Sequence, residues 1–512
     1  MWYCRHLQGT NRVSNTAPAI INESERNGEE ANRSEEWGMR PRLVLVPFPA
    51  QGHVSPMLDL ARVLHARGFE VTVAAPDFIH RRLAGRADDG IRFASVSSGL
   101  VADDGAAPPD FAAIERAMES HMPAHLESLL SPPDAEAIAC VVVDLVASWA
   151  IPVARRCGLP VAGFWTAMLA TYRVISAIPE LIRRGFISEF GSPLSHQPRC
   201  QHDGQEQAVQ ELTLEGQAKL SASDLPWLVG NPASQKSRFA FWLRVIERAK
   251  SVRWLLVNSF PEEGGRRGDH HPPLPSSQPQ EHDAPRTLPV GPLEAHGGDE
   301  KTRGNSRCNL SMWDEDQSCL EWLEKHPPNS VVYASFGSWV APISPEKIAE
   351  FALGLEAAAQ PFLWVLKDEK PWRAGLPGGF LDRVAGYGKV VAWAPQEEVL
   401  RSPAIGCYLT HCGWNSTLEA IRHEKRLLCY PIAGDQFVNA VYIVKVWGIG
   451  IKLDGCNRHA IENGIGKIMT GDEGAKAQAS VLQLKKRVMG EEGSSAAVAS
   501  LQYFIDTIKK SM

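Results

Sequence analysis

Arg42-Leu-Val-Leu-Val-Pro-Phe48 is followed by Gly52-His53, then by Met57, Leu58, Leu60, Ala61, Val63 and Leu64 at helical spacing, and then by a β-rich run over 69–75. A short unbroken apolar run reads as a strand buried on both faces, and the 3–4 residue recurrence as an amphipathic helix. Strand, glycine turn, helix, strand is the opening unit of a parallel α/β sheet. The alternation continues with a strand at 139–143, a helix after Trp149 and strands at 161–165 and 254–258, the last expected to close the first half. From 262 to 304 the composition turns to Gly, Pro, His, Gln and Ser, which predicts a linker or surface loop. A second series follows, with strands at 330–336, 361–365, 389–392 and 406–410 and helices at 345–358, 395–400, 415–423 and 437–446. The fold class is therefore α/β, with two doubly wound Rossmann-like halves at 39–261 and 305–495. Ligands of such sheets bind beyond the carboxyl ends of the strands, so the cleft between the halves is the expected site.

The chain has 512 residues, too many for one ordinary core. Its 44% hydrophobic and 22% charged residues describe a soluble globular protein. A net charge of −6 provides no basic field for nucleic acid or anionic membrane. The ten cysteines are scattered, mostly in apolar runs, without CxxC pairs, which points to reduced thiols and a cytoplasmic location. Residues 1–38 are polar and expected to be disordered, with no apolar core of a signal peptide; Met39 is a candidate internal start. The apolar stretch 138–165 is interrupted by Asp144, Arg155 and Arg156 and does not read as a membrane span.

Chemistry-bearing side chains concentrate in Trp393-Ala394-Pro395-Gln396, Thr410-His411-Cys412-Gly413-Trp414-Asn415-Ser416, Glu419 and Asp435-Gln436. An indole such as Trp393 offers a flat face for a base, and Gln396 offers both donors and an acceptor. The turn at 412–414 leads into a helix whose first N–H groups suit a pyrophosphate. Glu419 can accept from both hydroxyls of a ribose, and Asp435 and Gln436 can bind sugar hydroxyls. Taken singly, the indoles also suit core packing and Asn415-Ser416 an ordinary helix cap; the ordered set is harder to explain that way.

In the first half, His53 sits at a glycine turn opening a helix, where the dipole disfavours imidazolium, so a neutral base is expected. Asp144 ends an apolar strand, where a carboxylate is costly without a partner. A helix N-cap is one reading of Asp144; a dyad with His53 across the top of the sheet is the other.

From Met39 to the C-terminus the chain resembles the plant family-1 UDP-sugar-dependent glycosyltransferases, whose C-terminal signature box the segment 393–436 closely matches. The resemblance implies a GT-B fold, with a terminal helix near 496–510 packing back on the first half. It implies that Trp393 stacks on uracil, with Ala394 beside it, and that Gln396 and Glu419 bind ribose. His411, Asn415, Ser416 and Ser338 would meet the phosphates, Trp414, Asp435 and Gln436 the donor sugar, and Thr166 both. His53 and Asp144 fall where the family has its catalytic pair. The implied activity is inverting transfer of glucose from UDP-glucose to a hydroxyl of a small lipophilic acceptor, without metal or cofactor. Three departures mark an atypical branch: Ser402 where His is usual, Glu424-Lys425-Arg426 where Gly-Val-Pro is usual, and Tyr430 for a common Trp.

Two other readings carry distinct expectations. A UDP-sugar binder of the same fold without turnover would keep the box and lose the base, whereas His53 and Asp144 are both present. An NAD-dependent oxidoreductase would carry GxGxxG after a first strand, and neither half does. Asp314-Glu315-Asp316 has the form of a metal-binding DxD but precedes an amphipathic helix, so an acidic first turn is expected; His270-His271 lacks further ligands nearby. The acceptor pocket is expected in the segments 100–123, 173–190 and 220–228, with Met118, Phe186 and Trp227 suiting a partly apolar aglycone.

Overall fold

The computed structural model describes residues 40–83, 90–100, 111–131, 138–194, 211–212, 214, 217–260, 285–293, 311–338 and 343–511. The expectations for residues 1–38, for most of 262–304 including His270-His271, and for 101–110 lie outside the described residues.

The first half is a seven-stranded sheet of β1 (Arg42–Val46), β2 (Glu70–Pro76), β3 (Arg92–Val96), β4 (Ile138–Asp144), β5 (Val161–Trp165), β6 (Trp254–Val257) and β7 (Arg286–Pro289), in the order β3-β2-β1-β4-β5-β6-β7. The second half is a six-stranded sheet of β8 (Val331–Ser335), β9 (Phe362–Val365), β10 (Gly388–Val391), β11 (Ile405–Thr410), β12 (Arg426–Cys429) and β13 (Gly450–Lys452), in the order β10-β9-β8-β11-β12-β13. All these pairings are parallel. Each half thus contains the Rossmann order 3-2-1-4-5-6, in which the carboxyl ends of the first and fourth strands flank the switch point.

Alternation explains why these runs are apolar throughout. Val44 and Val46 of β1 and Val141 and Val143 of β4 face a central cluster, while Leu43, Leu45, Cys140 and Val142 face an outer one. In the second half Val331 and Tyr333 of β8 join the same central cluster, and Val332 and Ala334 face a third. Successive residues point to opposite faces, so a strand covered on both sides has no polar positions to offer. The shared central cluster makes the two halves one packed body.

Seven helices matter below: α1 (Gln51–Ala66), α2 (Phe111–Ser120), α3 (Pro232–Ala249), α4 (Gln396–Arg401), α5 (Trp414–Arg422), α6 (Gln436–Val441) and α7 (Glu491–Lys510). The helix expected at 437–446 is α6 continued by a π-helical turn, Tyr442–Val446. Four strands, β3, β7, β12 and β13, lie outside the runs named from the sequence. The run expected to close the first sheet is followed by β7, which pairs with β6 inside the segment read as a loop. Four residues, half of them only partly buried and ending in proline, carry too little pattern to stand out from the polar stretch around them. The edge strand β3 is also mostly unburied and shows no apolar run.

Helix α7 buries Leu501, Phe504, Ile505 and Ile508 in the outer cluster of the first half, with the Phe504 ring edge-on to Trp254 at 5.6 Å. Arg67 donates to Gln502 (2.6 Å) and Arg286 to the Tyr503 hydroxyl (2.5 Å). No helix among the described residues is long and apolar enough to cross a membrane. Replacing fully buried Phe504 with Ala is expected to cost about 3–5 kcal/mol, read as a lowered urea midpoint; an unchanged midpoint would mean that α7 does not anchor the first half.

Candidate active site

Asp144 ends β4 with no exposed surface. Its Oδ1 accepts from the Val146 amide (2.9 Å), capping the short turn Leu145–Ala147, and its Oδ2 accepts from the Phe48 amide (3.2 Å). His53, in the first turn of α1, brings Nδ1 to 2.7 Å from the same Oδ2, so cap and dyad are both realised. A carboxylate only accepts, so Nδ1 carries the proton and the Nε2 lone pair is left for substrate. Thr166, just past β5, places Oγ1 3.0 Å from Nδ1, beside the base.

Burial pulls the His53 pKa down, but the Asp144 carboxylate, with Asp435 further off, outweighs it and holds the group above its ordinary 6.5. The carboxylate thus works against the helix start, which by itself favours the neutral imidazole. A full negative charge at hydrogen-bond distance exceeds the fractional charge of a helix end.

The C-terminal box faces this dyad from the other half. His411, just past β11, lies between two loops: a Cβ on Gly337 or on Gly413 would come within 2.5 Å of its Nε2. Burial pulls its pKa down to about 4, against the opposing effect of a hydrogen bond to the Ser335 backbone, so the imidazole is neutral. Helix α5 begins after Gly413 without a side-chain cap, and its first N–H groups remain available. The ordinary-cap reading of Asn415 therefore fails: its Nδ2 donates across the cleft to the Gly52 carbonyl (2.9 Å), next to His53. Ser338, past β8, uses its carbonyl to accept from Lys367 Nζ (2.9 Å).

Gln396, opening α4, is fully engaged. Its Oε1 accepts from the hydroxyls of Tyr333 (3.1 Å) and Tyr408 (3.0 Å), and its Nε2 donates to Ser416 Oγ (3.1 Å) and Glu419 (2.5 Å). Burial, and then the nearby Glu397, push the Glu419 carboxyl up to about 8. Trp393 donates Nε1 to Ser311 Oγ (3.1 Å) and leans on Trp313 at 5.5 Å, with buried Ala394 following it.

Asp435 precedes α6 without a side-chain cap bond and accepts from Asn439 Nδ2 (2.8 Å), which also donates to the Cys412 carbonyl (2.9 Å). Gln436 Oε1 accepts from the Ile432 and Ala433 amides, leaving its NH₂ to offer a sugar. Trp414 stands apart. Its indole is 3% exposed, donates to the Asn258 carbonyl (2.6 Å) and packs on Phe260 and Trp447, so only its backbone N–H can meet a ligand.

Asp316 accepts from the Ser318 amide and hydroxyl, closing the turn before helix Ser318–Leu323. Met118 and Trp227 are core residues; Phe186 lines a small apolar cavity with Leu181, Ile187, Leu212, Ala222 and Leu225. Sequence reasoning missed Tyr333, Tyr408, Trp313 and Asn439. Only Asn439 carried a signal, lying one turn after Asp435 on the same helix face.

Residues 42–155 match the family model described as "Glycosyltransferase, N-terminal domain", and 312–480 the one described as "UDP-glucoronosyl and UDP-glucosyl transferase". The chain is 47% identical to UDP-glycosyltransferase 82A1 of Arabidopsis thaliana, over 88% of this chain and 95% of that protein. It belongs to the UDP-glycosyltransferase family. A second relative of this glycosyltransferase, (R)-mandelonitrile beta-glucosyltransferase of Prunus dulcis, is 31% identical over 87% and 92% of the two chains. Among solved structures, a UDP-glucosyltransferase from Polygonum tinctorium capable of glucosylating indoxyl superposes with a TM-score of 0.72 at 27% identity, covering 92% of this chain and all of that one. The two sheets are thus the halves of a GT-B enzyme.

The atypical positions of this glycosyltransferase are tied into its frame. Glu424 takes the left-handed conformation (φ 59°) and pairs with Lys485 (2.7 Å). Lys425, 8% exposed, donates to the Ser402 and Ile405 carbonyls (3.0 and 3.1 Å), and burial lowers its pKa to about 8. Arg426 donates to the Gly406 and Met469 carbonyls (2.8 and 3.1 Å), and Tyr430 packs edge-on to Phe351. The triplet therefore caps backbone rather than reaching the cleft.

Gly413 has φ −62°, which alanine adopts freely, so Gly413→Ala isolates the steric effect on His411. We expect UDP affinity to fall about tenfold, one lost charge-assisted hydrogen bond, with circular dichroism unchanged. Wild-type affinity by calorimetry would remove His411 from the phosphate site.

Proposed function

We propose that the enzyme transfers glucose from UDP-glucose to a hydroxyl of a small, partly apolar acceptor, with inversion and with His53 as general base. The observation that carries this reading is the meeting of the two halves at His53: Asp144 holds Nδ1, while Asn415 bonds the neighbouring Gly52 carbonyl and Asp435 acts on the imidazole electrostatically. Base and donor box therefore share one cleft.

In this reading Nε2 takes the acceptor proton as the oxygen attacks the anomeric carbon. The bond to the UDP oxygen breaks with its electron pair, and UDP leaves. Asp144 stabilises the transient imidazolium and fixes the tautomer. The uncapped start of α5 and the neutral His411 N–H meet the developing phosphate charge. Glu419 suits the ribose, positioned by the fully engaged amide of Gln396, and Trp393 the uracil. One displacement converts an α-linked donor into a β-glycoside. The two relatives named as glucosyltransferases support glucose as donor.

A base must be neutral to act, and Asp144 raises the His53 pKa. Activity is therefore expected to be low in acid and to rise with pH through an apparent value above 6.5. His53→Ala should lower kcat by about 10²–10⁴-fold. Asp144→Asn should lower the plateau and move the acid limb to lower pH, because burial is then opposed only by the more distant Asp435. UDP release with a panel of phenols and alcohols measures both; wild-type rates for His53→Ala would refute the assignment.

A further inference from the structure

Helices α2 and α3 are joined by charged rungs. Arg248 donates two hydrogen bonds to Glu119 (2.8 and 2.7 Å), and four residues earlier on each helix Arg244 pairs with Glu115. One turn further toward the start of α2 the acid is missing. Phe111 stands four residues before Glu115, and α3 answers it with the Phe241 ring at 5.3 Å and the Arg238 guanidinium 5.4 Å from the ring centroid. Arg238 has neither an ion pair nor a hydrogen bond among the described residues.

This rung is the one nearest the base. Phe111 packs on Phe48 at 6.3 Å, and the Phe48 ring lies edge-on to His53 at 5.1 Å. An aromatic strip thus runs from the imidazole to a guanidinium with no acidic partner among the described residues. Burial lowers the Arg238 pKa, and no carboxylate among the described residues offsets it. A half-buried guanidinium without a partner is unfavourable, and its planar fork matches a carboxylate better than any other common group.

We propose that Arg238 is a specificity residue that binds a carboxylate on the acceptor, so that the preferred acceptors are hydroxylated aromatic acids lying along Phe48 and Phe111 with their hydroxyl at His53. The inference rests on the acceptor-hydroxyl transfer proposed above and names the acceptor class. Glu115 and Glu119 are neutralised by Arg244 and Arg248, so they do not repel such an anion.

The test compares hydroxylated aromatic carboxylates of graded length with their methyl esters as acceptors, using UDP-glucose and detecting glycoside by mass spectrometry. The readout is the ratio of kcat/KM for acid over ester. For the best acid this ratio is expected to be at least about tenfold in the wild type, the worth of one charge-assisted pair. It should fall to about 1 in Arg238→Gln through KM, with Arg238→Lys in between, and UDP affinity by calorimetry verifies that the variants fold. A wild-type ratio near or below 1, or the same ratio in Arg238→Gln, overturns the proposal. Transfer to neutral phenols with no acid used overturns it while leaving the glycosyl-transfer reading intact; no transfer to any member sinks that reading and this one together.

Discussion

A carboxylate with no exposed surface organises the catalytic end of the first sheet. Asp144 gathers the Phe48 amide from past β1, the Val146 amide from its own turn, and the imidazole at the start of α1. Thr166, past β5, closes on the same nitrogen. Three neighbouring strands are thereby tied at their carboxyl ends by one buried charge. Removing one partner of such a group leaves the charge uncompensated, so a change at any of these contacts is felt at the others. Together with Asp435, the same carboxylate holds the His53 pKa above its ordinary value against burial.

The second sheet gathers neutral polar groups at its carboxyl edge. His411 is kept neutral by burial and fixed between Gly337 and Gly413. Gln396 is held at both ends of its amide, by two tyrosine hydroxyls and by Ser416 and Glu419. Groups held by several hydrogen bonds have few alternative rotamers, which reduces the ordering that binding would otherwise require.

Much of this was readable from the chain. The β1–α1–β2 unit and its repetition stood out because strands covered on both faces are apolar without interruption. The site residues stood out because polar groups interrupted such runs at strand ends. What escaped notice had no comparable pattern. Strands β3 and β7 lie at sheet edges with few buried positions. Tyr333 and Tyr408 look like core residues, because their function lies in hydroxyls that meet only in the fold. Trp414 illustrates the converse: a ligand-type side chain in the box is buried at the seam between the halves. The pKa of His53 depends on a contact 91 residues away in sequence, which local reading of a helix start misses.

That seam has a further consequence. Trp414 and Asn415, adjacent at the start of α5, each donate across it, to the carbonyls of Asn258 and Gly52. Both acceptors are main-chain oxygens, which every residue type presents. The match between the halves at this point depends on the course of the backbone, not on side-chain identity. A first half of quite different sequence, following the same path, would meet the same two donors. Acceptor-binding and donor-binding halves can thus diversify separately within one interlocked framework, and exchange of whole halves between relatives leaves these two bonds in place.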